Sequence, residues 1–160
     1  MPSRKILAAA RNVFLLIALD QASKLWAVAS LSPASPASPA SPASGAAFSS
    51  GNWFSIALSF NRGAAFSIMD GGTGTPGLLL AAAGLLVLGV ACVACPALRR
   101  LRGMSFLWAG GVSNFIDRVA RGCVVDWVQV WGLGVNLADL WLCVGCLLAV
   151  ASAVEASRRR

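Results

Sequence analysis

Nine of the thirteen basic residues of this chain fall in three clusters, and each cluster borders a long apolar stretch. Arg4, Lys5 and Arg11 precede the first stretch. Arg99, Arg100 and Arg102 separate the second from the third, and Arg158, Arg159 and Arg160 follow the last. Lysine and arginine gather in the cytoplasmic connections of membrane proteins, so clusters in alternate connections place both termini and the middle loop inside. The expected fold is a mainly α integral membrane protein of four transmembrane helices, N-in and C-in, forming one domain over 1–160. Composition agrees: 58% hydrophobic and 12% charged residues, with mean hydropathy +0.74, is more apolar material than a soluble core of this size hides. The net charge of +7 would suggest nucleic acid in a soluble domain. Here it points to membrane phospholipids instead, and no nucleic acid partner is expected.

The spans are expected near 13–31, 76–95, 104–116 and 137–154. The third is too short: its apolar part rises only about 20 Å against a hydrocarbon core of about 30 Å. Its helix must continue through Asn114, Asp117 and Arg118, whose i, i+3, i+4 spacing puts them on one face near the outer interface. The first stretch has a rival reading as a cleaved secretory signal, because Ala27-Val28-Ala29 precedes Ser30. Against that stand Asp20 and Lys24, an i, i+4 pair in the favourable acid-first order.

Between spans one and two, 32–44 repeats Ser-Pro-Ala, an extended low-complexity insertion without a core. After it, Phe54, Ile56, Leu58 and Phe60 alternate with small polar residues, the period of a half-buried strand. This stretch, 52–67, and a second β-prone one, 123–131, predict a small extracytoplasmic sheet with Trp53, Trp127 and Trp131 at headgroup level.

The chain has no histidine, which removes Ser-His and Cys-His catalysis and most metal constellations; no metal and no cofactor are expected. Cys92 and Cys95, and Cys143 and Cys146, have CxxC spacing but lie in expected spans two and four, where cysteine packs as a small apolar residue. Cys123 is single. A Ser-Lys pair would need Lys24 with Ser67 or Ser113 brought close by the fold, since Ser23 and Lys24 diverge on a helix. Carboxylates remain. Asp126 and Asp139 are two of only six acidic residues, thirteen positions apart at the approach to the last span. Taken singly they suit a loop acid and a helix-start acid. With Asn114, Asp117, Arg118 and Asn136 they concentrate polar groups at one depth.

Five runs carry a resemblance: 20–24 (DQASK), 61–67 (NRGAAFS), 110–118 (GGVSNFIDR), 122–126 (GCVVD) and 136–139 (NLAD). In that order they resemble the motif blocks of bacterial lipoprotein signal peptidase, signal peptidase II. The resemblance implies an intramembrane aspartic endopeptidase of the bacterial cytoplasmic (inner) membrane, with its site near the periplasmic face. Its substrates would be diacylglyceryl-modified prolipoproteins, cut on the N-terminal side of the lipidated cysteine, and the enzyme would be a monomer. By the same resemblance Asp126 and Asp139 are the catalytic pair, and Asn61, Gly63, Asn114, Arg118 and Asn136 hold substrate or line the site. Asp20, Lys24 and Asp117 would support the scaffold, and the outer sheet would be the periplasmic cradle. The chain departs from the pattern at the Ser-Pro-Ala tract, in a short 126–139 segment, and at Ser113 and Leu140, where glycine and serine are usual. Two readings from other classes stay open: a non-catalytic four-span protein whose acids pair with Lys24, Arg118 and Arg121, and a lipid-modifying transferase.

Overall fold

A computed structural model describes residues 4–32, 48–50, 53–62, 75–95 and 97–159. Gly63, Ser67 and all but the first residue of the Ser-Pro-Ala tract lie outside the described residues. Four α-helices are described, α1 (Arg4–Leu31), α2 (Thr75–Ala94), α3 (Met104–Arg121) and α4 (Leu137–Arg158). With them go the strands β1 (Phe48–Ser50), β2 (Phe54–Asn61), β3 (Val124–Val130) and β4 (Leu133–Val135), paired antiparallel in that order.

The expected helices are present with longer ends. α1 begins at Arg4 and α4 runs to Arg158, because basic residues are good helix formers and carry the helix past its apolar part. α3 continues from the apolar run through Asn114, Asp117 and Arg118 to Arg121, and stops at Gly122 in the left-handed conformation (φ 71°). α2 ends at Ala94, so Cys95 stands just beyond it rather than inside. Two helical stretches, Ile6–Leu31 and Leu137–Arg158, are long and apolar enough to cross a bilayer.

Among the described residues, large apolar side chains face outward and the largest fully buried side chains are mostly polar. Phe14, Leu79, Leu86, Val87, Leu147 and Val150 are each more than half exposed, whereas five of the six largest fully buried side chains are Lys24, Asp20, Asp117, Asp126 and Ser113. An exposed apolar surface of this extent suits lipid rather than water.

α3 and α4 approach closely through glycine. A Cβ on Gly110 would stand 2.8 Å from Leu142 Cγ, and one on Gly145 would stand 2.8 Å from Leu107. Small residues at a helix crossing let backbones meet without a void. Gly110 lies one turn before Asn114, so this crossing sets the distance from α3 to the start of α4. Gly110→Leu is expected to force the helices apart, lowering stability by about 1–3 kcal/mol; thermal unfolding in detergent measures it.

The sheet rests on the C-terminal end of α1, where Leu58 and Val125 join Ala27 and Leu31 in a small core that Ile56, Val28 and Trp127 complete. Trp127 is thus half-buried, edge-on to Trp26 at 5.9 Å, while Trp53 and Trp131 are the exposed tryptophans of the sheet. β2 and β3 are the expected strands with trimmed ends. Their register shifts between Ile56 and Ser59, which sets Ser59 opposite Asp126. β1 and β4 extend the sheet beyond the expected pair. The two-residue turn between β3 and β4, Trp131 (φ 48°) and Gly132 (φ 78°), has the left-handed pair that tight hairpins require.

Candidate active site

Two elements bring Asp126 and Asp139 to one place. Asp126 stands on β3 and is 1% exposed. Asp139 occupies the first turn of α4 as the acid of a capping box: Asn136 Oδ1 accepts from Asp139 N at 3.1 Å, and Asp139 Oδ2 accepts from Asn136 N at 3.2 Å. The Asn136 amide has a second task. Its Nδ2 donates to Asp126 Oδ1 at 2.6 Å, so one side chain ties the helix start to the strand.

The surroundings treat these acids differently from the others. Burial first, and then the charge of Asp139, push Asp126 up to about 6, although hydrogen bonds from Asn136 and Asn61 oppose the shift. Asp20 and Asp117 instead form ion pairs: Lys24 Nζ lies 2.7 Å from Asp20 Oδ2 and 2.8 Å from Asp117 Oδ2, with all three side chains fully buried. Arg121 adds to Asp117 at 2.5 Å. Among the described residues, these ion pairs take up the support acids and leave Asp126 and Asp139 to the cavity.

This cluster also holds the backbone before each aspartate of the site. Asp20 Oδ1 accepts from Ala138 N at 2.8 Å, and Asp117 Oδ2 accepts from Val125 N at 3.4 Å. A buried acid therefore grips the residue immediately preceding Asp139, and another grips the residue preceding Asp126. Lys24 donates its third proton to Asn114 Oδ1 at 3.0 Å, and Asn114 Nδ2 donates to Asp139 Oδ1 at 2.9 Å. With three acceptors for three protons, Lys24 is a satisfied ammonium, not a base beside a serine.

A cavity of about 250 Å³ is lined by Asn61, Asn114, Arg118, Asp126 and Asp139, with Cys143 in its wall. It shares Asn114, Arg118, Asp139 and Leu142 with a larger cavity of about 400 Å³, whose other walls are Gly77, Leu80, Ala81, Gly84, Leu85 and Leu88 of α2 and Leu107 and Gly111 of α3. A chamber with two carboxyls thus opens onto a slot between helices walled mostly by apolar side chains. Asn61 Oδ1 is buried there without a partner among the described residues, an acceptor available to a peptide N–H.

Of the residues singled out from sequence, Asn61, Asn114, Arg118, Asp126 and Asp139 meet at this chamber, Asn136 lies behind it as the tie, and Asp20, Lys24 and Asp117 form the cluster beneath. Two more residues contribute: Gln21, which was not singled out, and Ser113, named only as a serine for Lys24 and as a departure from the family pattern. Gln21 Nε2 donates to Ser113 Oγ at 3.0 Å and Asp117 Oδ1 at 3.1 Å, and Ser113 Oγ donates to Asp20 Oδ2 at 2.7 Å. Their sequence signal was position: Gln21 follows Asp20, and Ser113 precedes Asp117 by one turn on α3.

Comparison with known proteins gives one family. Residues 12–154 match the family model described as signal peptidase (SPase) II. A lipoprotein signal peptidase of Streptococcus thermophilus is 34% identical, covering 86% of each chain. Another, of Cellvibrio japonicus, is 30% identical over 86% of this chain and 81% of its own. A solved structure described as a bacterial membrane enzyme shares the fold with TM-score 0.69 at 22% identity, over 97% of this chain and 92% of that one.

Proposed function

The chain belongs to the signal peptidase II family of aspartic peptidases, and from that premise we propose that it cleaves the signal peptide from diacylglyceryl-modified prolipoproteins. The bond cut is the one N-terminal to the lipidated cysteine, and Asp126 and Asp139 are the pair that activates water. The observation that carries this reading is the convergence of two carboxyls from β3 and α4 in a chamber that opens on a mostly apolar slot. The slot suits an apolar signal segment or an acyl chain, and the chamber suits the peptide bond between them.

Two neighbouring carboxyls, Asp126 buried and Asp139 half-buried, hold one proton between them. The ionised one draws a proton from water as the oxygen attacks the scissile carbonyl carbon. The protonated one hydrogen-bonds the carbonyl oxygen, and the amine leaves with the proton taken from water. Asn61 offers its unpartnered acceptor to the substrate backbone, and Arg118 sets a positive charge beside the developing oxyanion. Gly63 belongs to the same substrate-holding set by the family resemblance alone. The reaction needs no metal or cofactor: EDTA is expected to leave the rate unchanged, and a loss that zinc restores would contradict the mechanism.

All four helices cross the membrane in this reading, with both termini in the cytoplasm and the sheet on the far side. Reporter fusions after Arg102 and Arg159 are expected to read cytoplasmic, and one within 32–44 external. A cytoplasmic signal from 32–44 would put the chamber at the wrong face.

The function is tested with purified protein and one precursor prepared with and without its diacylglyceryl group. Cleavage of the lipidated form, with the unlipidated form left intact, is expected; no cleavage of either would overturn the proposal.

A further inference from the structure

Asn114 has both ends of its amide engaged, and one of its partners can only donate. Lys24 Nζ carries three protons and no lone pair, so the atom it meets at 3.0 Å must be the amide oxygen. The NH2 group is thereby forced toward Asp139, where Nδ2 lies 2.9 Å from Oδ1. The other oxygen of Asp139 accepts from Asn136 N at 3.2 Å. Both oxygens of Asp139 therefore receive donors, the arrangement that suits a charged carboxylate, and the positive charge of Lys24 stands two hydrogen bonds away. Asp126 accepts from the neutral amides of Asn136 and Asn61 and feels Lys24 as a charge, while the charge of Asp139 faces it.

We infer that Lys24 takes part in the reaction through Asn114: it fixes the polarity of the amide so that Asp139 is the charged carboxylate that activates water, while Asp126 holds the shared proton. This assignment rests on the dyad proposed above and makes Asn114 a positioning residue rather than a substrate holder. The proton inventory follows. Asp139 takes a proton from water as the new C–O bond forms, and Asp126 gives its proton to the carbonyl oxygen. When the C–N bond breaks, the amine leaves with the proton from Asp139, and Asp126 recovers its own. Other charges act on Asp139 from each packed element. Arg118 of α3 favours its ionised form, Asp126 of β3 and Asp20 of α1 oppose it, and Lys24 already neutralises Asp20.

The experiment is a pair of variants, Asn114→Leu and Asn114→Asp, with kcat and KM measured across pH on a lipidated precursor. Both leave Lys24 with Asp20 and Asp117 but remove the donor to Asp139, and the second adds a negative charge. The expected result is a roughly 10- to 100-fold fall in kcat at pH 7, as for other residues that orient a reacting group. KM should stay within about threefold, and the acid limb of the kcat profile should move to higher pH, further for Asn114→Asp. Adding Lys24→Met to Asn114→Leu should lower kcat per folded molecule little further, because the two act in one chain. A rise in KM with the acid limb unmoved would overturn the inference, and so would two losses that multiply. If Lys24→Met leaves no folded protein, the two Asn114 profiles decide alone. Activity surviving in Asp139→Asn would instead sink the dyad itself, so the two failures are distinguishable.

Discussion

Asp126→Asn and Asp139→Asn are each expected to lower precursor processing by at least about 10²–10⁴-fold, the contribution of a positioned acid or base, while leaving a folded, membrane-inserted protein. An amide keeps the shape of the carboxyl but can neither take a proton from water nor hold the shared one. The fold has little reason to object. At position 139 an asparagine can still accept from Asn136 N in the helix cap and gives up the bond from Asn114 Nδ2 at a half-buried position. At position 126 the substitution removes a liability. Asp126 is pushed up to about 6 in the folded protein from an ordinary value near 3.8, so its proton is held more tightly folded than unfolded. The stability this brings is complete below about pH 4 and is lost as pH rises through 6. At pH 7 the wild type lacks up to about 3 kcal/mol that it has in acid. Asp126→Asn should therefore be inactive yet at least as stable as wild type at pH 7, with the advantage shrinking as pH falls toward 4. Unfolding curves in detergent at three pH values measure this, and near-normal processing by either variant would contradict the mechanism.

The second large effect belongs to Lys24. Lys24→Met leaves Asp20 and Asp117 fully buried without the cation they share, with the partly exposed Arg121 still beside Asp117. Removing one member of a buried ion pair costs about 3–5 kcal/mol, because the remaining charge stays desolvated and unmatched. Against total stabilities of about 5–15 kcal/mol, that is enough to remove most folded protein. Neutralising the whole cluster, with Asp20→Asn and Asp117→Asn added to Lys24→Met, should recover part of the loss, since no uncompensated charge then remains. The backbone grips on Ala138 and Val125 would persist only as weaker amide contacts. Thermal unfolding of wild type, single and triple variants tests the order. A Lys24→Met protein as stable as wild type would show that the cluster is not what holds α1 against α3.

The helices were legible because a bilayer leaves long apolar runs and rare acids to be counted. Asp20 and Lys24 could be paired from their spacing alone, and the polar extension of α3 followed from the shortness of its apolar part. What stayed hidden depends on contacts far apart in the chain. Nothing local announces that Asp20 will accept from the backbone of Ala138, or that Lys24 will reach Asn114 as well as two carboxylates. Ser113 could be noted as a departure from the family pattern, but its bond to Asp20 appears only once α1 and α3 cross. β1 and β4, three residues each, are too short to show alternation. Asp139 was open to reading as a helix-start acid or as a catalytic group. The structure gives it the first place, in the capping box, and sets it on the chamber wall; the second role is the one proposed.

The central claim is tested most directly by the masses of the two products when purified wild-type protein meets a diacylglyceryl-modified precursor in lipid bilayers, with Asp139→Asn run in parallel. The account expects a free signal peptide ending at the residue before the lipidated cysteine, a mature fragment beginning with that cysteine, and neither product from the variant. Intact precursor with wild type, cleavage at another bond, or equal cleavage by the variant would contradict it.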